Sequence, residues 1–578
     1  MLKRWKDSLI QFFDDFRKDD LTVKEFRWAV LVVVLLKMIL VCMQMIEIFP
    51  ENAPVDDELM LAAAQSIGSG NWLGAYSWET IAKSMGFAVW LWLLHVLHIP
   101  YLIGNQLLYA GASLYATHAL KPVFRGRSAR FIIFFVLWFS PFATAQFTLR
   151  VYRDSILPAV ILIAFSAVIG FCLRKGEGLR KQIGYAAVAG LFTGFARLIR
   201  DDAIWIYPFV LCATLYYLVC VIFDRTNVAR IRKAVLIPAA ALIAFAVPVL
   251  SFCAMNQKYY GVFLINETSE PEFTAAISAM QQADLDLPHA GISVCHPTRD
   301  RLYEAVPEMA ELGDFLEQDH YYHGYGWTEE QEFNSGGFFW AVKRVSYESG
   351  LATDAVSVRS YFRKLADAIE AAYADGRLEK NPKAATASSF LVPYDPSYLL
   401  PTVRELGNSL RCILFFEQTS SLAPLSFATP EQAKPWRDYT YTLPSYIAKA
   451  GTAEPYYYFP QRIAEYLFTV IRWCYRVAVW PALLAALICL FMESRKAFSD
   501  VRKLFSCGAS MNAVLILGVI LSIFVRIVLI SYIEVTNFRI GTYLLYLSGG
   551  AVLTVLLAAV GAAAAFCRFS VSSLKKEE

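Results

Sequence analysis

Apolar residues gather into eleven blocks along the chain. They lie near 27–48, 84–98, 100–120, 130–148, 155–173, 183–199, 203–223, 233–254, 463–492, 508–532 and 541–567. A helix needs roughly 20 apolar residues to cross a hydrocarbon layer about 30 Å thick, and most of these blocks reach or approach that length. The window 234–255 carries no Asp, Glu, Lys or Arg at all. One long polar stretch interrupts the pattern. Residues 255–462 carry Pro, Asp and Glu among mixed helical and irregular patterns, which predicts a folded soluble domain. The chain thus divides into a tail 1–26, an N-terminal membrane module 27–254, an inserted domain 255–462, a C-terminal membrane module 463–567 and a short tail 568–578. In the first tail, Leu2, Trp5, Leu9, Phe12, Phe13 and Phe16 recur at helical intervals, the pattern of an amphipathic helix lying in the membrane interface.

Loop charge orients the spans, because short cytoplasmic loops are rich in Lys and Arg. Basic clusters sit in the first tail, at Lys121–Arg130, Arg174–Lys181, Arg225–Lys233 and Arg495–Lys503, and at the C-terminal end. All of them share one side only if 84–98 does not cross. That block is short, and His95 and His98 precede Pro100 within or beside it. The expected fold class is therefore an all-α polytopic bundle of about ten transmembrane helices plus one interfacial or re-entrant helix, with the mixed domain inserted outside between spans seven and eight. Both termini are expected in the cytoplasm, in a multi-pass protein of the cell membrane.

Composition agrees: 57% of residues are hydrophobic and the mean hydropathy is +0.42, more apolar surface than one soluble core covers. A net charge of +3 with no basic patch gives no reason to expect a nucleic-acid partner. Of the eleven cysteines only Cys295 and Cys412 fall in the insert, where an oxidising compartment would allow them to pair. His320 and His323 lack the spacing of metal ligands, and Asn266-Glu267-Thr268 matches a glycosylation acceptor that often arises by chance.

Charge is expensive at the end of a span unless it pairs or meets a ligand. The outward loops hold Asp56, Asp57 and Glu58, then Arg150, Arg153 and Asp154, then Arg197, Arg200, Asp201 and Asp202, and lastly Arg539. Each has a structural reading as well: arginines at helix ends snorkel to headgroups, and Asp56–Glu58 or Asp201–Asp202 suit helix caps. Arg526, in mid-span, must face the bundle interior, for an ion pair or a ligand. Read together, carboxylates that accept a proton and arginines that grip phosphate, at headgroup depth, suit a substrate with a lipid tail and a phosphate head.

The order of these features resembles the membrane glycosyltransferases of the GT-C fold, which include protein O-mannosyltransferases and the aminoarabinose transferase of lipid A. Asp56-Asp57-Glu58 leads into Leu59–Gly70 and Asn71-Trp72-Leu73-Gly74, and the short apolar segment 84–98 follows. Ser140-Pro141, Arg153-Asp154 and Asn537-Phe538-Arg539 fall in the family's order. The resemblance implies Asp56 as catalytic base with Asp57 close behind and Asp154 as the second-loop acid. It implies Arg153, Arg197, Arg200 and Arg539 as phosphate ligands, with Glu58, Arg150, Asp201 and Asp202 among the substrate-binding residues. The implied donor is a polyprenyl-phosphate sugar, and the implied acceptor a protein, a wall polymer or a glycolipid. The second-loop acid stands alone in Arg-Asp-Ser rather than as a paired motif, which points away from metal dependence; no cofactor is expected. Two other classes fit the same bundle, a lipid or solute transporter or flippase and a non-catalytic assembly protein. No internal repeat of the kind transporters show is visible.

Overall fold

The computed structural model describes residues 2–50, 54–224, 229–286, 289, 291–386, 388–447, 455–499 and 508–577. Among the described residues, six helices are long and apolar enough to cross a membrane: Leu179–Ile199, Asp201–Phe223, Arg230–Tyr260, Phe459–Phe498, Ala509–Phe538 and Leu544–Arg568. The number rises to as many as eight if each of two bent pairs is one span. The sequence pattern pointed to about ten; of the other blocks two bend, the first carries Lys24, Glu25, Arg27 and Lys37 in its helix, and Leu157–Leu173 is 17 residues long. The block 84–120 is two helices, Gly86–Val96 and Tyr101–Ala119, turned by 110° around Pro100. The block 130–148 bends by 47° at Ser140-Pro141, where the ring of proline cannot continue a helical ladder. The first block ends its helix at Val41, after which Ile46-Glu47 is extended.

The centre of the bundle is the helix Leu157–Leu173. Every residue from Leu157 to Cys172 is buried, as a helix apolar on all faces requires. Around it, exposed aliphatic residues such as Leu35, Leu36, Leu242, Ile243, Val247 and Val477 mark the outer surface of the helices, the surface that lipid covers in a membrane. Without a hydrophobic drive between helices in lipid, close approach of small residues holds them together. Gly190 and Gly194, four residues apart on Leu179–Ile199, lie against the backbone of Ala241 and Phe245 on Arg230–Tyr260. A Cβ at Gly190 would come within 1.9 Å of the Ala241 carbonyl oxygen.

The insert has two parts. Residues 273–378 form their own core, with Phe273, Ile277, Met280, Leu302, Leu312, Phe338, Val342 and Phe362 at its centre. The later part instead joins the core of the bundle through Cys412, Ile413, Phe416, Trp436 and Tyr439. Its strand Pro444–Ile447 pairs in parallel with Ile46-Glu47, tying the end of the insert to the first outer loop. Cys412 belongs to the core of the bundle, Cys295 is buried next to Val294 of the insert's own core, and both are free thiols. At the other end of the bundle, Phe16 of the helix Leu2–Lys18 packs on Phe131 and Phe566. The helices Val23–Val41 and Leu544–Glu577 run from that end to the end that carries the insert.

The glycine contact gives a test with a reversed sign. Alanine is favoured over glycine in helices by about 1 kcal/mol, so Gly184→Ala, facing open space, is expected to be neutral or stabilising. Gly190→Ala is expected to lower the midpoint of thermal unfolding, by overpacking worth about 1–3 kcal/mol. Equal midpoints for the two variants would contradict the contact.

Candidate active site

The chain leaves the helix Val23–Val41, pairs briefly as a strand, and then makes one wide turn over Pro54–Glu58. Single π-turns of this kind are rare and cluster at functional sites. The turn points two adjacent carboxylates different ways. Asp57 is fully buried, and its oxygens accept from the Arg150 Nε at 2.8 and 2.9 Å and from the other edge of the same guanidinium. Arg150 is placed for this by its backbone, whose carbonyl accepts the Tyr101 hydroxyl at 2.7 Å. Asp56 keeps 32% of its side-chain surface exposed. It accepts from the Lys83 ammonium and, at 2.9 Å, from the Tyr152 hydroxyl, with Arg150 a further 3.6 Å away. Burial alone would push the Asp56 carboxyl up, but Lys83, Arg150 and Arg153 hold it below the usual carboxylate range.

A second group stands where the helix Leu179–Ile199 ends and the next begins. Arg200 donates from one nitrogen to both oxygens of Asp154, at 2.8 and 2.9 Å, and from Nε to Asp202 at 2.8 Å. Asp202 also accepts from Arg526 at 2.7 Å, and Arg526 donates twice more to the Tyr546 carbonyl. Arg526, expected either to pair or to touch a ligand, thus pairs, as a buried mid-span arginine must. Asp201 takes Arg197 at 3.2 Å and the side chains of Ser84 and Asn266. Asn266 is buried in this network as a contact between the insert and the bundle, in keeping with a chance match to a glycosylation acceptor.

Arg153 differs from the other guanidinium groups named here. Its contacts are long, 3.6 Å to Asp201 and 3.5 Å to the Ile199 carbonyl, and its buried Nε has no hydrogen-bond partner. A buried donor left unmade is costly, and a phosphate oxygen is the acceptor a guanidinium suits best.

The insert closes over this group. The Lys83 ammonium lies 5.2 Å from the Trp340 ring centre, and Glu267, buried, takes Lys343 and the Tyr76 hydroxyl while its backbone N–H donates to the Ile81 carbonyl. Trp340 also lines a cavity of about 570 Å³ together with Gly291, Phe390, Asn537 and Arg539. Tyr546, stacked on Phe538, places its ring 5.4 Å from the Arg200 guanidinium.

The residues singled out from the sequence separate accordingly. Asp56, Asp57 and Arg150, then Arg153, Arg197 and Asp201, then Asp154, Arg200 and Asp202 form three ion-paired groups, with Arg153 within electrostatic reach of the other two. Arg539 stands apart at the rim of the cavity, against Gly291 of the insert, with its own backbone in the left-handed region at φ 53°. Glu58 closes the turn on the side of Glu79. His320 stacks on Tyr321 and the His323 ring nitrogen meets the Asp319 carbonyl at 2.9 Å. Lys83, Tyr152 and Trp340 escaped the sequence reading, and Asn266 was noted only as a chance glycosylation match. Lys83 had a weak signal, as a lysine in the acidic outer loop beside an apolar run; Tyr152 and Trp340 had none.

No protein-family model and no curated protein matches the chain. Among solved structures it is similar to ArnT from Cupriavidus metallidurans in the apo state, at 13% identity and a TM-score of 0.29, over 93% of this chain and 78% of that one. The functional reading below rests on the site's own geometry.

The two carboxylates of the turn are expected to respond oppositely to removal. Asp57→Ala strands a buried guanidinium and should cost about 3 kcal/mol or more. Asp56→Asn, at a part-exposed position, should stay within about 1 kcal/mol of the parent. Thermal unfolding in detergent compares them; equal losses would contradict the division of labour.

Proposed function

We propose that the chain is a membrane glycosyltransferase that moves a sugar from a polyprenyl-phosphate donor to an acceptor outside the cytoplasm. The observation that carries this is a part-exposed carboxylate, Asp56, within electrostatic reach of a guanidinium, Arg153, whose buried Nε has no hydrogen-bond partner. Both lie where apolar helices end, at the depth of lipid headgroups. The ordered motifs of the first and second outer loops support the same reading.

In this mechanism the acceptor's hydroxyl or amine donates to Asp56 and attacks the anomeric carbon. The bond from that carbon to the donor phosphate oxygen breaks as the new glycosidic bond forms. The proton passes to Asp56, and the bonding pair leaves with the phosphate, whose charge Arg153 and Lys83 meet. Asp56 is ionised before the acceptor arrives because the surrounding cations hold its carboxyl low. A weak base suffices here, since the phosphate leaves readily once neutralised. Asp57 and Asp154 act as positioning residues, holding Arg150 and Arg200. Arg197, Asp201 and Asp202 set the wall behind Arg153, and Arg539 serves the cavity on the insert side. The acceptor, whether protein, wall polymer or glycolipid, enters beneath Trp340.

The test uses the full chain in lipid nanodiscs supplied with polyprenyl-phosphate sugars, reading release of polyprenyl phosphate. Asp56→Asn is expected to lower turnover by about 10²–10⁴, and Arg153→Ala by about 10²–10³. A folded carboxyl held below its ordinary value of about 3.9 stays charged until the pH falls beneath that value. The acid limb of the wild-type rate is therefore expected below about pH 4, and Lys83→Met, by removing a stabilising cation, should move it upward. Donor turnover untouched by both Asp56→Asn and Arg153→Ala would overturn the proposal.

A further inference from the structure

Away from the charged network, three side chains of different chemistry converge in the inserted domain. Asp284 Oδ2 lies 3.4 Å from His289 Nε2 and 3.8 Å from Cys295 Sγ, and the ligand atoms of all three residues fall within 4.8 Å of one another. A tetrahedral zinc ion bound at about 2.0–2.3 Å by oxygen, nitrogen and sulfur sets those atoms roughly 3.3–3.7 Å apart. The two distances between named atoms fall in or next to that range.

Their surroundings point the same way. Asp284 and Cys295 are buried, and among the described residues no Lys or Arg lies within ion-pair distance of Asp284. A buried carboxylate without a cation is costly. His289 Nε2 is buried and makes no hydrogen bond, although Asp284 stands beside it. Its lone pair is thus available at the point where the carboxylate and the thiol also converge. The Asp284 outer oxygen is oriented by the Asp286 N–H at 3.1 Å, and Cys295 Sγ by the Thr298 hydroxyl at 3.1 Å. Such supporting contacts are what hold metal ligands in place.

We infer that Asp284, His289 and Cys295 form a zinc site, with water in the fourth position, that staples the loop between them. One sulfur, one nitrogen and one oxygen suit a borderline-soft divalent ion better than calcium or magnesium, which take oxygen alone. The stapled loop carries Gly291, which adopts φ 79° and supports the Arg539 side chain; a Cβ there would meet Arg539 Cδ at 2.8 Å. Gly291 also donates to the Thr536 carbonyl and accepts from the Ser335 N–H. The metal therefore fixes the wall of the cavity shared by Trp340 and Arg539, and its role is structural. This inference stands independently of the glycosyl-transfer reading.

The test measures zinc in the purified full-length protein after gel filtration in buffer containing a weak chelator. The wild type is expected to retain one zinc ion per chain. Cys295→Ser and His289→Ala should lose it, with affinity lowered by at least about 10-fold. Cys412→Ser, a buried cysteine in the other core, should retain it. Because His289 is part-exposed, its alanine variant preserves the fold, and an unchanged elution profile confirms that. Replacement by cobalt adds a second readout, a thiolate charge-transfer band present in the wild type and absent in Cys295→Ser. Wild-type protein without zinc, or variants that keep as much as the wild type, would overturn the site.

Discussion

Charge at the edge of the hydrocarbon must be paired, and that constraint organises this molecule. Asp154, Arg200, Asp202 and Arg526 form one continuous chain of ion pairs that links the second outer loop, the junction of two apolar helices and the interior of Ala509–Phe538. Asp57 and Arg150 do the same between the first and second outer loops. Pairs of this kind add little net stability over apolar packing, but breaking one leaves an uncompensated charge in low dielectric. Loops that sequence separates by up to hundreds of positions are thus held in a single arrangement. What the network leaves over is informative. One carboxylate, Asp56, stays part-exposed, and one guanidinium, Arg153, keeps an unfilled Nε, the two groups on which the proposed chemistry rests.

The insert completes the site rather than merely sitting above it. Asn266 reaches into the Asp201 cluster, Trp340 covers Lys83, and the buried Glu267–Lys343 pair locks the domain to the loop 76–83. Gly291, between His289 and Cys295, then forms part of the cavity wall. A metal staple there would spare the domain the cost of ordering a ten-residue connection by packing alone, which small cores do poorly. The surroundings of Lys83 and Asp201 thus come from both layers, the helical bundle and the domain that caps it.

Much of the site was legible in the sequence because charge near an apolar block is conspicuous. Asp56, Asp57, Arg150, Arg153, Asp154 and Arg200 stand out against uncharged runs, and they do converge. Lys83 was hidden by belonging to an ordinary polar loop, and Trp340 by lying hundreds of residues away in the insert. Hydropathy also says where helices are apolar but not where they bend. The turns at Pro100 and at Ser140-Pro141 divide blocks that pattern alone reads as whole. The contrast between Asp56 and Asp57 was invisible to pattern as well, since adjacent residues in a wide turn face different ways only once the backbone is known.

The most direct measurement is a structure of the full chain in nanodiscs with bound polyprenyl phosphate. The phosphate is expected against Arg153 and Lys83, at about 3 Å from their nitrogens, with Asp56 facing the space where a sugar would stand. A lipid phosphate found only at the end of the bundle where Phe16 packs on Phe566, with the Arg153 guanidinium unengaged, would contradict the assignment.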